Sequence, residues 1–438
     1  METLNVCIPP APRVAPGAEA LSAPLSDARG DRPDGPPRGQ LRADCAQTLR
    51  VDDVTTTAGF AALRPTWEAL SAEAETASPF NSWLWQWTWW RVFGASKDLR
   101  ICVVRDGPRA LAIAPFYLLR YGRGPLTLRV LLPLGYGNDL TERMDPLIAT
   151  GCRGAALTAL ASHLARAAPW DLLVWQGVAN DDLPSSLRAH RHTTHLIPYA
   201  VRSLPPTWDA FVAGLSTRMR ANLRYYPNRL ARHGYTAGVR MVSDPDALGP
   251  ALTTFLRLHA ARAAWPGSPP HSDRFARAPH RSFLALLAPA LAAQGQFHLA
   301  LLTVDGHDVA AQLILEHADT LSLYYSGVDP AWLPYGVGLQ LTAACLRDAI
   351  GRGVRHLDWL HDSGPWKQRW GTIDAPIPRI AFVGDTRRAQ AAYAAYAALR
   401  SGVYDRTGHA RLAAPHGVAA EYRLLQRLAA LLRQPRIG

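Results

Sequence analysis

One stretch, from Thr320 to Gly371, constrains the fold more than any other part of the sequence. It begins with TLSLYYS, an alternating run of β-branched and aromatic residues that is typical of a strand. Glycine and proline then break the pattern and lead into a tight turn at residues 335–338. Apolar residues at helical spacing predict a helix of about a dozen residues after the turn. The segment VRHLDWL predicts a second strand, so the order is strand, turn, helix, strand.

A glycine-bearing turn at the start of a helix is a place where an anion can bind. The first backbone N–H groups of a helix have no partner within it, and the helix dipole adds about half a positive charge there. The turn lacks the spacing of a P-loop and of a dinucleotide fingerprint. Four residues are therefore general anion-binding candidates: Tyr335, Gly336, Val337 and Gly338.

The segment GPWKQRWG closes the stretch. Together with YYSGVDP, PYGVG and HLDWL, it resembles the C-terminal half of the FemAB-like, CelD-type (BioF-like) acyltransferase domains of the GNAT superfamily. Trp359 stands where those sequences usually have Phe, and Trp366 where they usually have Tyr. The resemblance extends over roughly residues 50–385.

The resemblance implies an α/β (α+β) fold of tandem GNAT-like units, each a mixed β-sheet flanked by helices. The sequence repeats the order of three strands, a helix and a strand in its two halves. We expect the first unit over residues 48–200 and the second, with the acyl-CoA site, over 201–385. Residues 1–47 have the composition of a disordered extension, and residues 386–438 predict C-terminal helices.

The aromatic run NSWLWQWTWWRVFG is ambiguous by periodicity alone, because its tryptophans fit both strand alternation and helical spacing. Ser82 as an N-cap and Gly94 as a stop favour a helix. The FemAB-like family has a similar helix early in its sequences. We therefore predict a helix whose tryptophans form a core or the seam between the units.

Acyl transfer requires a protein to hold the donor, to polarise its carbonyl and to accept a proton. By resemblance, the turn at residues 335–338 binds the pyrophosphate of CoA, and Arg369 is a further cofactor-binding candidate. The gap between TLSLYYS and VRHLDWL would accept the pantetheine. No Ser-His-Asp or Cys-His order is present, which argues against a covalent acyl-enzyme.

Three residues are candidates for catalysis. Asp358 comes first, because an acid within an apolar strand needs a partner; it could instead cap a turn or pair with Arg355. His361 could accept a proton near neutral pH. Lys367 could contact phosphate or the transferred carbonyl, or be an exposed charge without a role.

Four further residues are candidates for substrate binding: Gln312, Tyr325, Arg220 and Arg224. Gln312 could bind acyl or acceptor groups, or be a core amide. The two arginines belong to LSTRMRANLRYYPNRLARHG, whose apolar stripe leaves its arginines on the wetter faces. That face is either a basic rim for phosphates or an ordinary solvated surface.

Composition excludes several classes. Five cysteines are scattered without metal-ligand spacing, so we predict neither a metal site nor a disulfide framework. The sequence shows no signal peptide and no apolar run that could cross a bilayer, so we expect a cytoplasmic protein without a transmembrane segment. The net charge of +12 suits a polyanionic partner such as a nucleotide cofactor, but no nucleic-acid motif indicates DNA.

The resemblance implies an acyltransferase that uses acetyl-CoA or another acyl-CoA as co-substrate and needs no metal. Family members are associated with cellulose, other exopolysaccharide or cell-envelope synthesis, so a sugar or envelope precursor is the expected acceptor of direct N- or O-acylation. One alternative is a FemAB-type aminoacyltransferase with an aminoacyl-tRNA donor. Another is a non-catalytic exopolysaccharide assembly protein. The sequence leaves the acyl chain and the oligomeric state open.

Overall fold

The computed structural model describes residues 49–121, 127–167, 170–178, 182–183, 187, 192–267, 272–362 and 364–391. The predicted N-terminal extension and almost all of the predicted C-terminal helices lie outside these residues. Two mixed sheets flanked by helices make up the fold, which confirms the predicted fold class. No helix within the described ranges is both long enough and apolar enough to cross a membrane.

Among the residues that the structure describes, the first sheet has eight strands, one of which comes from the end of the described chain. The strands are β1 (Arg50–Val54), β2 (Asp98–Asp106), β3 (Arg109–Tyr121), β4 (Leu128–Pro133), β5 (Leu147–Ile148), β6 (Leu172–Gln176), β7 (His192–Ile197) and β15 (Ile377–Val383). Their order is β1-β2-β3-β4-β6-β15-β7, with β5 beside β3. The parallel pair β4 and β6 is joined through helix α4 (Arg153–Ala167).

The second sheet repeats this plan with seven strands in the described part of the chain. They are β8 (Tyr199–Ser203), β9 (Ala237–Val242), β10 (Phe297–Val304), β11 (His307–His317), β12 (Thr320–Val328), β13 (His356–His361) and β14 (Ile373–Asp374). Their order is β14-β8-β13-β12-β11-β10-β9. The parallel pair is β12 and β13, joined through helix α9 (Val337–Gly351).

Eight further helices of the described ranges cover the two sheets. They are α1 (Thr57–Ala62), α2 (Arg64–Glu73), α3 (Trp83–Phe93), α5 (Trp208–Ala213), α6 (Thr217–Arg232), α7 (Leu248–Ala264), α8 (Ala278–Ala292) and α10 (Pro365–Gln368). Alternate residues of β10 face opposite sides of the second sheet, as strand geometry requires. Leu299 and Leu301 belong to the core formed with α7 and α8, whereas Ala300 and Leu302 belong to the core formed with α6 and α9.

The tryptophan-rich segment is helical, as predicted. The hydroxyl of Ser82 accepts a hydrogen bond from the backbone N–H of Trp85 at 3.2 Å, and Gly94 follows the last helical residue. The ring of Trp85 lies 5.3 Å from that of Phe283 on α8 and 5.8 Å from that of Tyr324 on β12. Ring pairs of this kind contribute about 1 kcal/mol each beyond their buried area. The helix therefore lies in the seam between the two halves.

Strand β15 lies in the first sheet, although the sequence assigns it to the second unit. It pairs with β6 and β7, and Ile380 and Phe382 are fully buried in the core of that sheet. The alternating pattern of IPRIAFV predicts a strand but carries no information about which sheet it joins. Pro198, between β7 and β8, is where the chain first leaves the first sheet. The division near residue 200 stays a prediction.

Candidate functional site

The parallel strands β12 and β13 pair over a short distance and then separate. Their register runs from Thr320 opposite His356 to Ser322 opposite Asp358. After these residues β12 continues beside β11, and β13 has an irregularity against β8. Because both strands run in the same direction, their carboxyl ends lie at one edge of the sheet, where open α/β sheets bind ligands. The turn at residues 335–338 follows β12, and the residues that carry Lys367 follow β13.

The turn after β12 requires glycine at Gly336. This residue has a φ of 61°, and an added Cβ would lie 2.6 Å from the ring of Tyr226. The N-terminus of α9 has no side-chain cap, and the first helical hydrogen bond runs from the N–H of Gln340 to the carbonyl of Gly336. The three preceding N–H groups of α9 have no partner within the helix, which is the arrangement that binds anions.

Arginine side chains flank this turn. Arg229 of α6 donates to the carbonyl of Pro334 at 2.9 Å and lies over the ring of Tyr335. Arg369 interacts electrostatically with Tyr226, whose ring lies beside Gly336, and its role in cofactor binding stays a prediction. Arg224, on the same helix as Arg229, is exposed.

Arg220, the other arginine predicted to bind substrate, differs from Arg224 in its contacts. Its Nη1 donates to the carbonyls of Ala213 at 3.1 Å and Leu215 at 2.6 Å, and its Nη2 donates to the hydroxyl of Thr217. These contacts fasten the start of α6 to the end of α5. The structure therefore does not bring Arg220 to the glycine turn.

A cavity of about 450 Å³ adjoins the first turn of α9. Side chains of α6, α9 and β10, together with the start of β9, form its walls, which are mostly apolar. Tyr235 contributes an aromatic ring, and Gln340 and Thr236 contribute polar groups. Its volume is within the range of small-molecule sites. The cavity wall does not include Asp358 or Lys367.

Asp358 lies at the point where the strands separate, and both of its carboxylate oxygens accept hydrogen bonds. Its Oδ2 accepts hydrogen bonds from Nε of Arg143 at 3.0 Å and from Nη2 of the same residue. Its Oδ1 accepts from the N–H of Leu360 at 2.8 Å. The partner is thus Arg143, from the loop after β4, and not Arg355. The local bond to Leu360 matches the turn-capping alternative.

Lys367 is buried beneath the end of β13. Its Nζ donates to the carbonyl of Trp359 at 2.7 Å and to the carbonyl of His361. Burial lowers the pKa of Lys367 to about 8, and the nearby Glu142 opposes this effect. His361 places its ring against that of Tyr199, and burial together with the Lys367 charge lowers its pKa. The structure therefore brings the three predicted catalytic residues together.

Glu142 is a fourth ionisable residue in this group. Its Oε2 accepts a hydrogen bond from the N–H of His361 at 3.2 Å. Burial raises the pKa of Glu142 to about 7, while the charge of Lys367 and the hydrogen bond from His361 act in the other direction. A carboxyl group that titrates near neutral pH beside a buried lysine is an arrangement suited to proton transfer.

The loop at residues 134–146, between β4 and β5, carries Glu142 and Arg143 and is held by three tyrosines. The hydroxyl of Tyr324 donates to the carbonyl of Leu140, and that of Tyr325 donates to the carbonyl of Asp139. The hydroxyl of Tyr199 donates to the carbonyl of Glu142. Tyr325, a predicted substrate-binding residue, thus anchors this loop to the second sheet.

Backbone strain is concentrated where the loop meets β13. Five described non-glycine residues have a positive φ, and three of them are Asp139, Leu360 and Asp362. The other two, Asp305 and Ala318, lie in the turns between β10, β11 and β12. Side chains other than glycine adopt this conformation at a cost of about 1–2 kcal/mol, and such residues are enriched at functional sites.

Gln312 lies outside this group. Its Nε2 donates to the carbonyls of Leu313 at 2.8 Å and Tyr325 at 3.2 Å, where the pairing of β11 with β12 is irregular. The amide nitrogen therefore satisfies backbone groups inside the sheet. This placement corresponds to the core-amide alternative.

Potential metal ligands occur together at Asp53, Cys102 and His163, on the first sheet and α4. The carboxylate of Asp53 lies 3.0 Å from Nε2 of His163 and 3.3 Å from the Cys102 sulfur. Its other oxygen forms an ion pair with Arg100 at 2.6 Å. These hydrogen bonds and this ion pair engage all three potential ligands. The cluster lies on the first sheet, whereas β13 belongs to the second.

Glu142 and Arg143 have no role in the sequence-based interpretation. The available signal is the density of ionisable residues in GNDLTERMDP, which follows a strand and lies between apolar segments. Loops after strands often carry functional groups. A contact that spans 215 positions, as between Arg143 and Asp358, cannot be found from local patterns.

Comparison with known proteins supports part of the predicted family. Residues 217–368 match the family model described as acetyltransferase (GNAT) domain, from α6 to α10. This match assigns that segment, about a third of the chain, to the GNAT acyltransferase family. No curated protein matches the sequence.

The chain is similar to several solved structures. FemX has 12% identity and a TM-score of 0.54, with 78% of this chain and 99% of FemX covered. The L-PGS structure from Bacillus licheniformis has 13% identity, a TM-score of 0.44, and coverages of 74% and 92%. A tandem GNAT protein from the clavulanic acid biosynthesis pathway has 15% identity, a TM-score of 0.41, and coverages of 77% and 100%. The likeness to FemX concerns the fold alone.

Proposed function

We propose that this protein transfers an acyl group directly from acyl-CoA to an amine or hydroxyl acceptor at the edge where β12 and β13 separate. The observation that carries the proposal is that each of the parallel strands β12 and β13 is followed by a feature suited to acyl transfer. One is the uncapped N-terminus of α9 behind Gly336. The other is the group of charged residues at the end of β13. The first suits the donor phosphates, and the second suits proton transfer.

The proposed donor site has three parts, one for each portion of the CoA molecule. Its pyrophosphate would accept hydrogen bonds from the first N–H groups of α9, with Arg229 and Arg369 nearby. Its pantetheine would enter the gap between β12 and β13. The cavity beside Tyr235 and Gln340 has room for the adenosine part, with an aromatic ring for stacking and an amide for hydrogen bonding.

A calorimetric titration with acetyl-CoA and longer acyl-CoAs tests the donor. The informative variant is Gly338→Glu, because the Cβ of residue 338 meets only Val328 at 3.4 Å. A carboxylate in the first turn of a helix is favourable for folding but repels a bound anion. We expect wild-type binding to weaken at least about tenfold in this variant, equal to about 1.4 kcal/mol.

Gly154→Glu is the matched control. Gly154 is the second residue of α4, just as Gly338 is the second residue of α9, and its Cβ would meet no atom within 4 Å. We expect Gly154→Glu to bind acyl-CoA as wild type does. Loss of binding in the control and not in Gly338→Glu would move the donor to the first sheet. A wild-type protein that binds no thioester would contradict the proposal.

The acceptor that we propose is a sugar or cell-envelope precursor, which rests on the resemblance of the sequence to CelD-type domains. FemAB-type aminoacyl transfer is the second candidate. It is favoured by the fold shared with FemX and by the arginine-rich α6, where Arg218 and Arg224 are exposed. Binding of aminoacyl-tRNA in preference to acyl-CoA would support this second candidate.

A further inference from the structure

Glu142 reaches the β13 edge from the loop after β4, although that loop belongs to the first half of the chain. We infer that Glu142 is the general base of the acyl transfer, and the inference rests on the proposed function. Its carboxylate takes the proton from the acceptor's N–H or O–H as the acceptor atom bonds to the acyl carbon. The C–S bond then breaks, and the same proton passes from Glu142 to the departing thiolate of CoA.

The carboxylate of Glu142 can accept further hydrogen bonds. Within the described part of the chain, its carboxylate accepts one hydrogen bond, from the N–H of His361 at 3.2 Å, and forms no ion pair. A carboxylate offers about four acceptor positions. Glu142 is half-buried, so an acceptor molecule can reach it. The side chain is therefore both oriented and available.

Two neighbouring acids, Asp358 and Asp139, are already engaged by arginine side chains. Asp358 uses both oxygens, one on Arg143 and one on the N–H of Leu360. Asp139 forms an ion pair with Arg274. Each of these carboxylates would lose a charge-assisted hydrogen bond on taking up a proton. Glu142 loses less, because its carboxylate accepts a single backbone hydrogen bond and no hydrogen bond from an arginine.

The charges and the burial around Glu142 set its pKa. Lys367 and His361 face Glu142 from α10 and the end of β13, Asp139 from its own loop, and Arg274 from the segment before α8. The hydroxyls of Tyr199 on β8 and of Tyr324 and Tyr325 on β12 also interact with it. Burial outweighs the attraction of the cations and raises the pKa of Glu142 to about 7. A base with this pKa is ready to work at neutral pH.

Lys367 acts as a positioning residue in this arrangement. Its Nζ binds the carbonyls of Trp359 and His361, on either side of the left-handed Leu360. These bonds fix the backbone that points the N–H of His361 at Glu142. Its charge also lowers the pKa of Glu142, against the effect of burial.

The experiment measures thiol release from acetyl-CoA, with glucosamine and then water as acceptor, between pH 5.5 and 9. Wild type is expected to gain activity with a midpoint near pH 7, because the deprotonated carboxylate is the active form. Glu142→Gln keeps the shape of the side chain, so we expect it to bind acetyl-CoA within about twofold of wild type but to lose at least about a hundredfold in rate. Added formate should partly restore Glu142→Ala.

Two further variants separate catalysis from structure. Lys367→Met should move the midpoint to higher pH, since removal of a positive charge raises the pKa of Glu142. Glu68→Gln, which changes an exposed carboxylate on α2, should leave rate and midpoint unchanged. An infrared difference spectrum between wild type and Glu142→Gln should show a carboxyl group that titrates near pH 7, whichever acceptor is used.

The outcomes distinguish this inference from the proposed function. Wild-type protein that binds no acetyl-CoA contradicts both. Binding and thiol release in wild type, with the same rate and midpoint in Glu142→Gln, overturns the role of Glu142 and leaves the acyltransferase proposal intact. The absence of the titrating carboxyl band also overturns it.

Discussion

The guanidinium of Arg143 donates two hydrogen bonds to a single carboxylate oxygen of Asp358, across 215 positions of sequence. One residue lies in the loop after β4, and the other lies in β13 of the second sheet. Burial opposes the charge of Arg143, yet its pKa is raised because Asp358 and Asp145 are close. The ion pair therefore fixes the position of the loop, and of Glu142 beside it.

Arg143→Met should destabilise the protein by about 3 kcal/mol, because it leaves the carboxylate of Asp358 buried without its cation. Asp358→Asn removes the charge and should cost less. In the double variant the two effects should fall short of their sum by at least about 1 kcal/mol. Urea unfolding of the four proteins measures this coupling. Additive effects would show that the pair contributes nothing specific.

Gly336→Ala should lower the free energy of unfolding by about 1–2 kcal/mol. An alanine there must adopt a left-handed conformation, and its Cβ would approach the Tyr226 ring. Gly338→Ala is the control. Its Cβ meets Val328 at an ordinary contact distance, and alanine is the better helix former by about 1 kcal/mol. Equal effects in the two variants would contradict the strained turn.

Stability should depend on pH through Glu142. The pKa of this residue is raised in the folded protein, so the folded state binds the proton more tightly than the unfolded chain. Its contribution is complete below about pH 4.5 and is lost as the pH rises through about 7. Relative to wild type, Glu142→Gln should gain in urea midpoint between pH 5 and pH 8. Glu68→Gln should show no such gain.

Ala343→Phe should fill the cavity beside the first turn of α9, where Ala343 forms part of the wall. We expect acetyl-CoA to bind at least about tenfold more weakly, because its adenosine would lose its place; this equals about 1.4 kcal/mol. Acetyl-phosphopantetheine, which lacks adenosine, should bind as before. Calorimetry with both donors compares them. Equal weakening of both would remove the cavity from the donor site.

Much of the fold follows from local patterns. The cap at Ser82 and the stop at Gly94 identify helix α3, and apolar spacing identifies α9. Local patterns do not predict strands β7 and β9, for physical reasons. The sequence of β7, HTTHLI, is polar, and five of the six residues of β9 are exposed, so neither shows the alternation of a half-buried strand.

Part of the candidate site consists of residues that the sequence analysis names. Asp358, His361 and Lys367 lie close together in sequence, and they come together because the end of β13 and the short helix α10 carry them. Glu142 and Arg143 come from a different half of the chain, and only tertiary packing brings them there. Local periodicity describes which side of an element is buried but not which distant loop covers its end.

The position of β15 between β6 and β7 has a consequence for how the chain is made. During synthesis, all strands of the second sheet leave the ribosome before the strand that joins β6 to β7. Until then β6 and β7 present open edges, which are sites of mispairing and aggregation. A fragment that stops near residue 200 would keep those edges permanently. The two halves are therefore expected to mature together, late in translation, and not as independent modules.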